Sequence, residues 1–157
     1  AYLKGSYHWD KATREDFDTA ETYFELALEK DPSYAPAYSG LASVWGARQQ
    51  GGYAPPHEAG PKVKAFTLRA VELDDSSALS RRRLASTKTW TEWDWAGAEP
   101  EYRRALELDP NYAVAHAYYA LFLANMGRID EAKEELEEII DKFERGLQRA
   151  LADVKAC

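Results

Sequence analysis

Only one cysteine, Cys157, stands among the 157 residues. A lone thiol closes no intramolecular disulfide and builds no cysteine zinc cluster, so neither framework organises this chain. Long apolar runs are also missing. None approaches the roughly 18–20 residues that a membrane-spanning helix needs, and no charged-then-apolar leader opens the chain. The expectation is a cytoplasmic protein without a membrane partner. Positive charge is in deficit: 20 Lys and Arg face 27 Asp and Glu, for a net charge of −7. That balance argues against a general nucleic-acid binder, which would normally be basic.

A catalytic constellation is absent as well. His8, His57 and His116 lie far apart, without the spacing that would place two imidazoles on one metal. Gly51-Gly52 is followed by no Gly-Lys-Ser/Thr, so it is not a phosphate cradle. Runs such as Glu134-Glu-Leu-Glu-Glu138 read as solvated helix faces. The chain is expected to be no enzyme and to need neither cofactor nor metal.

Large packing residues are plentiful. Five Trp, ten Tyr and five Phe sit in a chain that is 45% hydrophobic and 30% charged, a composition that folds rather than staying disordered. The strongest internal echo joins Leu28-Glu-Lys-Asp-Pro32-Ser-Tyr34-Ala35 to Leu106-Glu-Leu-Asp-Pro110-Asn-Tyr112-Ala113. A weaker copy is Val71-Glu-Leu-Asp-Asp75-Ser-Ser-Ala78. Each copy ends an amphipathic helix, turns at Asp-Pro or Asp-Asp, and opens another helix. Units beginning at Ala35, Ala78 and Ala113 are 43 and 35 residues apart. A 34-residue unit accounts for both if loops carry the insertions. The larger insertion falls at Gln49–Pro56, rich in Gly and Pro.

These landmarks resemble the tetratricopeptide repeat, in which small residues lie where two helices touch, an aromatic stands in the second helix, and a proline closes the unit. Ala20, Phe24, Ala27 and Pro32 fit that second-helix pattern, as do Ala98, Tyr102, Ala105 and Pro110. Ala132, Leu136 and Ile139 fit it without a closing proline, and Val63, Thr67, Ala70 and Asp75 are degenerate. Tyr38, Leu41, Ala42 and Trp45, and likewise His116, Tyr119, Ala120 and Leu123, fit the first helix. Gly5 stands in for the small residue of the first unit. Tyr2–Trp9 and Trp93–Ala98 are similar to repeat regions of bacterial signalling and transcription-regulator proteins. The resemblance implies an all-α fold, a right-handed superhelix of about four antiparallel helix pairs. Its units are about 1–34, 35–77, 78–112 and 113–144 within a single domain, with an extended C-terminal helix to 156.

Local signals place the eight helices at about Ala1–Asp10, Thr13–Lys30, Ser33–Gln50, Glu58–Leu73, Ser76–Trp90, Asp94–Leu108, Asn111–Met126 and Asp130–Ala156. Thr13 with Asp16 resembles a capping box, and Gly127 is a helix stop. Pro61 is expected in a first turn, where proline is tolerated. Pro100 sits too deep for that if Asp94 is the cap, so either the helix starts later or its first turn is distorted. At the end of the chain Leu136, Ile140, Phe143, Leu147 and Val154 lie on a heptad seam, and Leu151 widens it. Two readings stand: a cap over the end of the solenoid, or a self-association surface. The regular Lys133–Ile139 also reads as an engineered helix, with Cys157 a labelling handle.

The resemblance puts the second, fifth, ninth, twelfth and thirteenth residue of each unit on a concave groove. These include Ser39 and Ser43; Arg82, Ser86, Thr89 and Trp90; and Leu121 and Asn125. Trp9 joins them from the first unit. Arg82 suits a carboxylate, and aromatics with Arg dominate binding energy. Trp9 and Trp90 read either as groove anchors or as core packing. The Lys/Asn clamp by which chaperone-binding relatives hold a terminal carboxylate is missing, since Ser39, Ser43, Arg82 and Ser86 stand there. The expected function is a scaffold binding a protein or peptide, with Trp9, Arg82, Ser86, Trp90, Leu121 and Asn125 in the groove. The alternative is a self-assembling, homo-oligomeric or engineered module using the terminal helix.

Overall fold

A computed structural model describes residues 1–156, with side chains through Gln148. Among the described residues the regular elements are eight helices and no strands. They are α1 (Tyr2–Lys11), α2 (Arg14–Lys30), α3 (Ala35–Gln50), α4 (Pro56–Leu73), α5 (Ala78–Trp90), α6 (Trp95–Leu108), α7 (Ala113–Asn125) and α8 (Ile129–Ala156). None is long and apolar enough to cross a membrane.

Local chemistry sets the boundaries. The Thr13 hydroxyl accepts the Asp16 N–H, the Ser77 hydroxyl accepts the Ser80 N–H, and the Asp94 carboxylate accepts the Gly97 N–H. Each satisfies a donor that the first helical turn leaves free. The repeated Asp ends α2, α4 and α6 in nearly the same way. Asp31, Asp74 and Asp109 all leave the helix in extended backbone, with ψ of 94°, 94° and 93°. Each carboxylate then accepts the N–H two residues on, at 2.9–3.0 Å from Ser33, Ser76 and Asn111. The Asp therefore turns the chain by itself, and the following Pro is dispensable, which is why Asp75 serves in the middle copy. α7 stops at Gly127, whose φ is 77°. The Gly127 and Arg128 N–H groups donate back to the Ala124 and Leu123 carbonyls, a closure that needs a left-handed residue.

Two expectations are corrected. Several helices open one or two residues later than the sequence suggests, because the cap residue itself is not helical; α4 opens earlier, at Pro56. Pro56 takes the first-turn place, so Pro61 is the sixth helical residue and lies inside α4, like Pro100 in α6. Both prolines are on exposed faces, where water can satisfy the carbonyl that each one deprives of its partner.

The helices form four antiparallel pairs, α1/α2, α3/α4, α5/α6 and α7/α8. Successive first helices also touch one another: α1 with α3, α3 with α5, and α5 with α7. Each second helix touches the first helix of the following pair. Large residues of the second helices fill those junctions. The fully buried Phe24 ring lies against Gly5 of its own pair and Gly40 of the next. Tyr102 stacks on Tyr119 at 5.7 Å and meets Phe122 at 5.5 Å, both on α7. Leu136 occupies the matching place on α8 and is 42% exposed.

α8 turns a different stripe inward. Ala132 is buried, and Glu135, Ile139 and Lys142 are half-buried. Glu135 accepts from His116 at 2.7 Å, and Lys142 donates to the Pro110 carbonyl at 2.7 Å. The heptad seam faces away, with Ile140, Phe143 and Leu147 at 54%, 72% and 52% exposure. Leu151 and Val154 lie outside the residues whose side chains are described.

Candidate functional site

The layer of first helices sets the site. α1, α3, α5 and α7 run side by side, and at their centre is a cavity of about 280 Å³. Trp9 comes from α1, Ser43, Gly46 and Ala47 from α3, and Tyr118 from α7. α5 supplies Arg82, Arg83, Ser86 and Trp90. Val63 and Thr67 of α4 close the back. Small residues on α3 leave the space, and aromatic and Arg side chains wall it.

Four of the six groove residues expected from sequence, Trp9, Arg82, Ser86 and Trp90, therefore surround one cavity. Leu121 and Asn125 are outside its lining. Leu121 is half-exposed farther along α7, and the Asn125 amide donates to the Leu121 carbonyl at 2.7 Å. Ser39 and Thr89 are not part of the cavity lining. Ser39 is buried against Ser80 of α5 at 3.2 Å, and Thr89 is sealed with its hydroxyl on the Ala85 carbonyl. Short polar residues at these positions serve close helix contact.

Both readings of the tryptophans describe part of each ring. Trp9 packs on Phe17 at 5.5 Å and is half-buried. Trp90 meets Trp95 edge-on at 5.8 Å yet keeps 37% of its surface exposed. Such rings present fixed apolar area at low entropic cost. Ser86 has a second partner behind it, the Tyr102 hydroxyl at 3.3 Å. Burial pushes the Tyr102 hydroxyl above the usual tyrosine range, and hydrogen bonds from Ser86 and Thr89 oppose that shift.

The run Arg81-Arg82-Arg83 divides. Arg81 leaves the cavity and pairs with Glu101 at 3.0 Å. Arg82 is 9% exposed, and its guanidinium lies over the Tyr118 ring at 4.8 Å. Arg83 donates to the Ser39 carbonyl at 2.7 Å and to the Ser43 hydroxyl. The Nε of each is shut off from solvent without an acceptor. Burial, with the charge of Arg82 beside it, pushes the Arg83 guanidinium down to about 10. Among the described residues no Asp or Glu lines the cavity. A second depression of about 440 Å³ between α6, α7 and α8 is mostly acidic, lined by Glu107, Glu131, Glu134 and Glu135 with Arg103 among them.

The sequence leaves open which of Arg81, Arg82 and Arg83 face the groove, and it does not single out Tyr118. Arg83 and Tyr118 are both the sixth residue of a first helix, and each points back at the preceding first helix. The signal was present in the adjacency of Arg82 and Arg83, since residues 100° apart can flank one line of a helix. Among the described residues no group of three metal-ligating side chains converges. His8 and His116 are engaged with Asp16 and Glu135, each at 2.7 Å.

Comparison with known proteins identifies the architecture. Residues 91–154 match the family model described as tetratricopeptide repeat, and the chain has the fold of tetratricopeptide-repeat solenoids. A thermophilic tetratricopeptide-repeat protein of Thermus thermophilus, TTC0263, aligns over 89% of this chain and 72% of its own, with 15% identity and a TM-score of 0.73. YrrB, a tetratricopeptide-repeat protein with an unusual peptide-binding site, aligns over 81% of this chain with 24% identity and a TM-score of 0.57. This chain spans 60% of the length of YrrB. MamA aligns over 84% of this chain and 71% of its own, with 26% identity and a TM-score of 0.56. No curated protein matches the sequence.

Proposed function

We propose that this chain is a non-enzymatic protein–protein interaction scaffold that takes an extended peptide or helix into its concave cavity. The convergence of Trp9, Arg82, Ser86 and Trp90 from separate helices on one cavity carries this reading. A rigid helical scaffold presenting aromatic and Arg side chains suits a buried hot spot with a polar rim. Leu121 and Asn125 extend the surface along α7. The peptide-binding site named for YrrB supports the same reading here. We read units 1–34, 35–77, 78–112 and 113–144 as one cytoplasmic domain of a bacterial signalling or transcription-regulator type, without nucleic-acid or membrane contact.

The test is selection of random dodecapeptides on the folded chain. Selected peptides should lose at least ten-fold in affinity for Trp90→Ala while its helical circular dichroism stays unchanged. Undiminished binding to that variant removes the cavity from the account.

The exposed seam on α8 favours a second reading. Leu136, Ile140, Phe143 and Leu147 form an apolar stripe at heptad spacing, with Leu151 and Val154 continuing it in sequence. A second copy would cover this stripe, making the chain a homo-oligomer. The regular charge pattern of Lys133–Ile139 is consistent with an engineered assembly helix.

A further inference from the structure

We infer that the cavity selects acidic peptides, the Arg82 and Arg83 guanidiniums together holding an oxyanion of the partner, either a side-chain carboxylate or a phosphoryl group. This rests on the cavity being the peptide site, and it names the chemistry of the ligand. Three observations support it. First, two adjacent guanidiniums line one cavity, and neither has a carboxylate partner among the described residues. Six other guanidiniums are paired with carboxylates, among them Arg48 with Asp18 and Glu21, and Arg81 and Arg128 with glutamates. Second, the Nε of both arginines is buried without an acceptor. A buried charged group that lacks a full set of acceptors is costly, and an anion bound against the cavity side of the guanidiniums offsets that cost. Third, although the chain is rich in acidic residues, none of those described lies in this lining.

The surroundings define the rest of the ligand. Ser39 and Ser43 fix one edge of Arg83, and the Tyr118 ring supports Arg82 from beneath. The two forks are thereby held before a ligand arrives, which lowers the ordering cost of binding. Guanidiniums match carboxylate and phosphate oxygens in pairs. Trp9 and Trp90 flank them, so the acidic residue of the peptide should be accompanied by an apolar one. Local attraction must overcome the net charge of −7, so a peptide with one or two acidic residues suits the site better than a polyanion.

The dodecapeptide selection tests this directly. Peptides that depend on Trp90 should share an Asp or Glu. Changing that residue to Asn or Gln should weaken binding at least ten-fold by calorimetry, as should Arg82→Gln. Arg83→Gln should do the same, and Arg83→Lys should restore part of the loss. Replacing the acidic residue by phosphoserine separates the two sources: tighter binding assigns a phosphoryl group, weaker binding a carboxylate. Should Arg83→Gln lose its helical signal, the peptide-side change and Arg82→Gln decide. Trp90-dependent peptides with no shared acidic residue, or unchanged affinity for Arg82→Gln, overturn the inference and leave the cavity reading intact. Peptides indifferent to Trp90→Ala overturn both.

Discussion

Two glycines of α3 should respond in opposite ways to the same added methyl group. A Cβ on Gly40 would lie 2.7–2.8 Å from three carbons of the Phe24 ring. Ordinary contact between carbons is roughly 3.5–4.0 Å, so the ring would have to retreat by most of an ångström. It cannot retreat freely, because a Cβ built on Gly5 meets the same ring at 2.7–2.8 Å, and Tyr2 packs beside it with ring centroids 5.6 Å apart. Overpacking of this kind costs about 1–3 kcal/mol, whereas replacing Gly by Ala inside a helix returns about 0.8–1 kcal/mol. The clash wins, and Gly40→Ala should be destabilised by about 1–2 kcal/mol. Gly46 has nothing within 4 Å of its Cβ position, so Gly46→Ala should keep the propensity gain of nearly 1 kcal/mol. Thermal unfolding followed by circular dichroism should move down for the first variant and up for the second, by roughly 2–4 °C per kcal/mol. Phe24→Leu should couple to Gly40→Ala in a double-mutant cycle, since the smaller side chain relieves the contact. Equal stabilisation by both alanines would refute the wedge.

Acid should loosen the α5–α7 region. Burial alone would raise the Glu99 and Glu101 carboxyls. Arg103, Arg128 and the Tyr119 hydroxyl around Glu99, and Lys88 with Arg81 around Glu101, outweigh burial and hold both below the ordinary value of 4.5. A folded pKa below the unfolded one adds stability that is complete above 4.5 and disappears as pH falls through the folded value. Urea midpoints should therefore drop below pH 4.5, and Glu101→Gln should flatten that drop; an identical pH profile for this variant would contradict the assignment. Sedimentation equilibrium bears on the α8 stripe. If a second copy covers it, Phe143→Glu should shift the chain to monomer without altering helical content, and a wild-type chain that is monomeric at high concentration excludes the homo-oligomer.

The repeat architecture was legible because each landmark has a local cause. Asp31, Asp74 and Asp109 turn the chain by the same carboxylate-to-backbone bond, so their recurrence in sequence is recurrence of geometry. Phe24 and Tyr102 mark helix junctions by size alone. The residues that line the cavity follow only in part from position within the repeat. Position within the unit picks out Trp9, Arg82, Ser86 and Trp90, which line one cavity, and also Ser39 and Thr89, which are buried between helices; it does not pick out Arg83 and Tyr118, which line the cavity as well. The rotation of each first helix depends on what packs behind it, and the small Ser39–Ser80 contact brings α3 and α5 close. Period alone does not contain that information. Pro61 was misplaced for a similar reason, since Pro56 competes for the same first-turn role and wins.

The most direct test of the account is chemical-shift mapping of a selected dodecapeptide on the isotope-labelled chain. The account predicts that the largest perturbations fall on the Trp9 and Trp90 indole N–H groups, the Arg82 and Arg83 Nε–H groups and the Tyr118 ring. Perturbations confined to Leu136–Leu147 of α8, with those cavity signals unmoved, would contradict it.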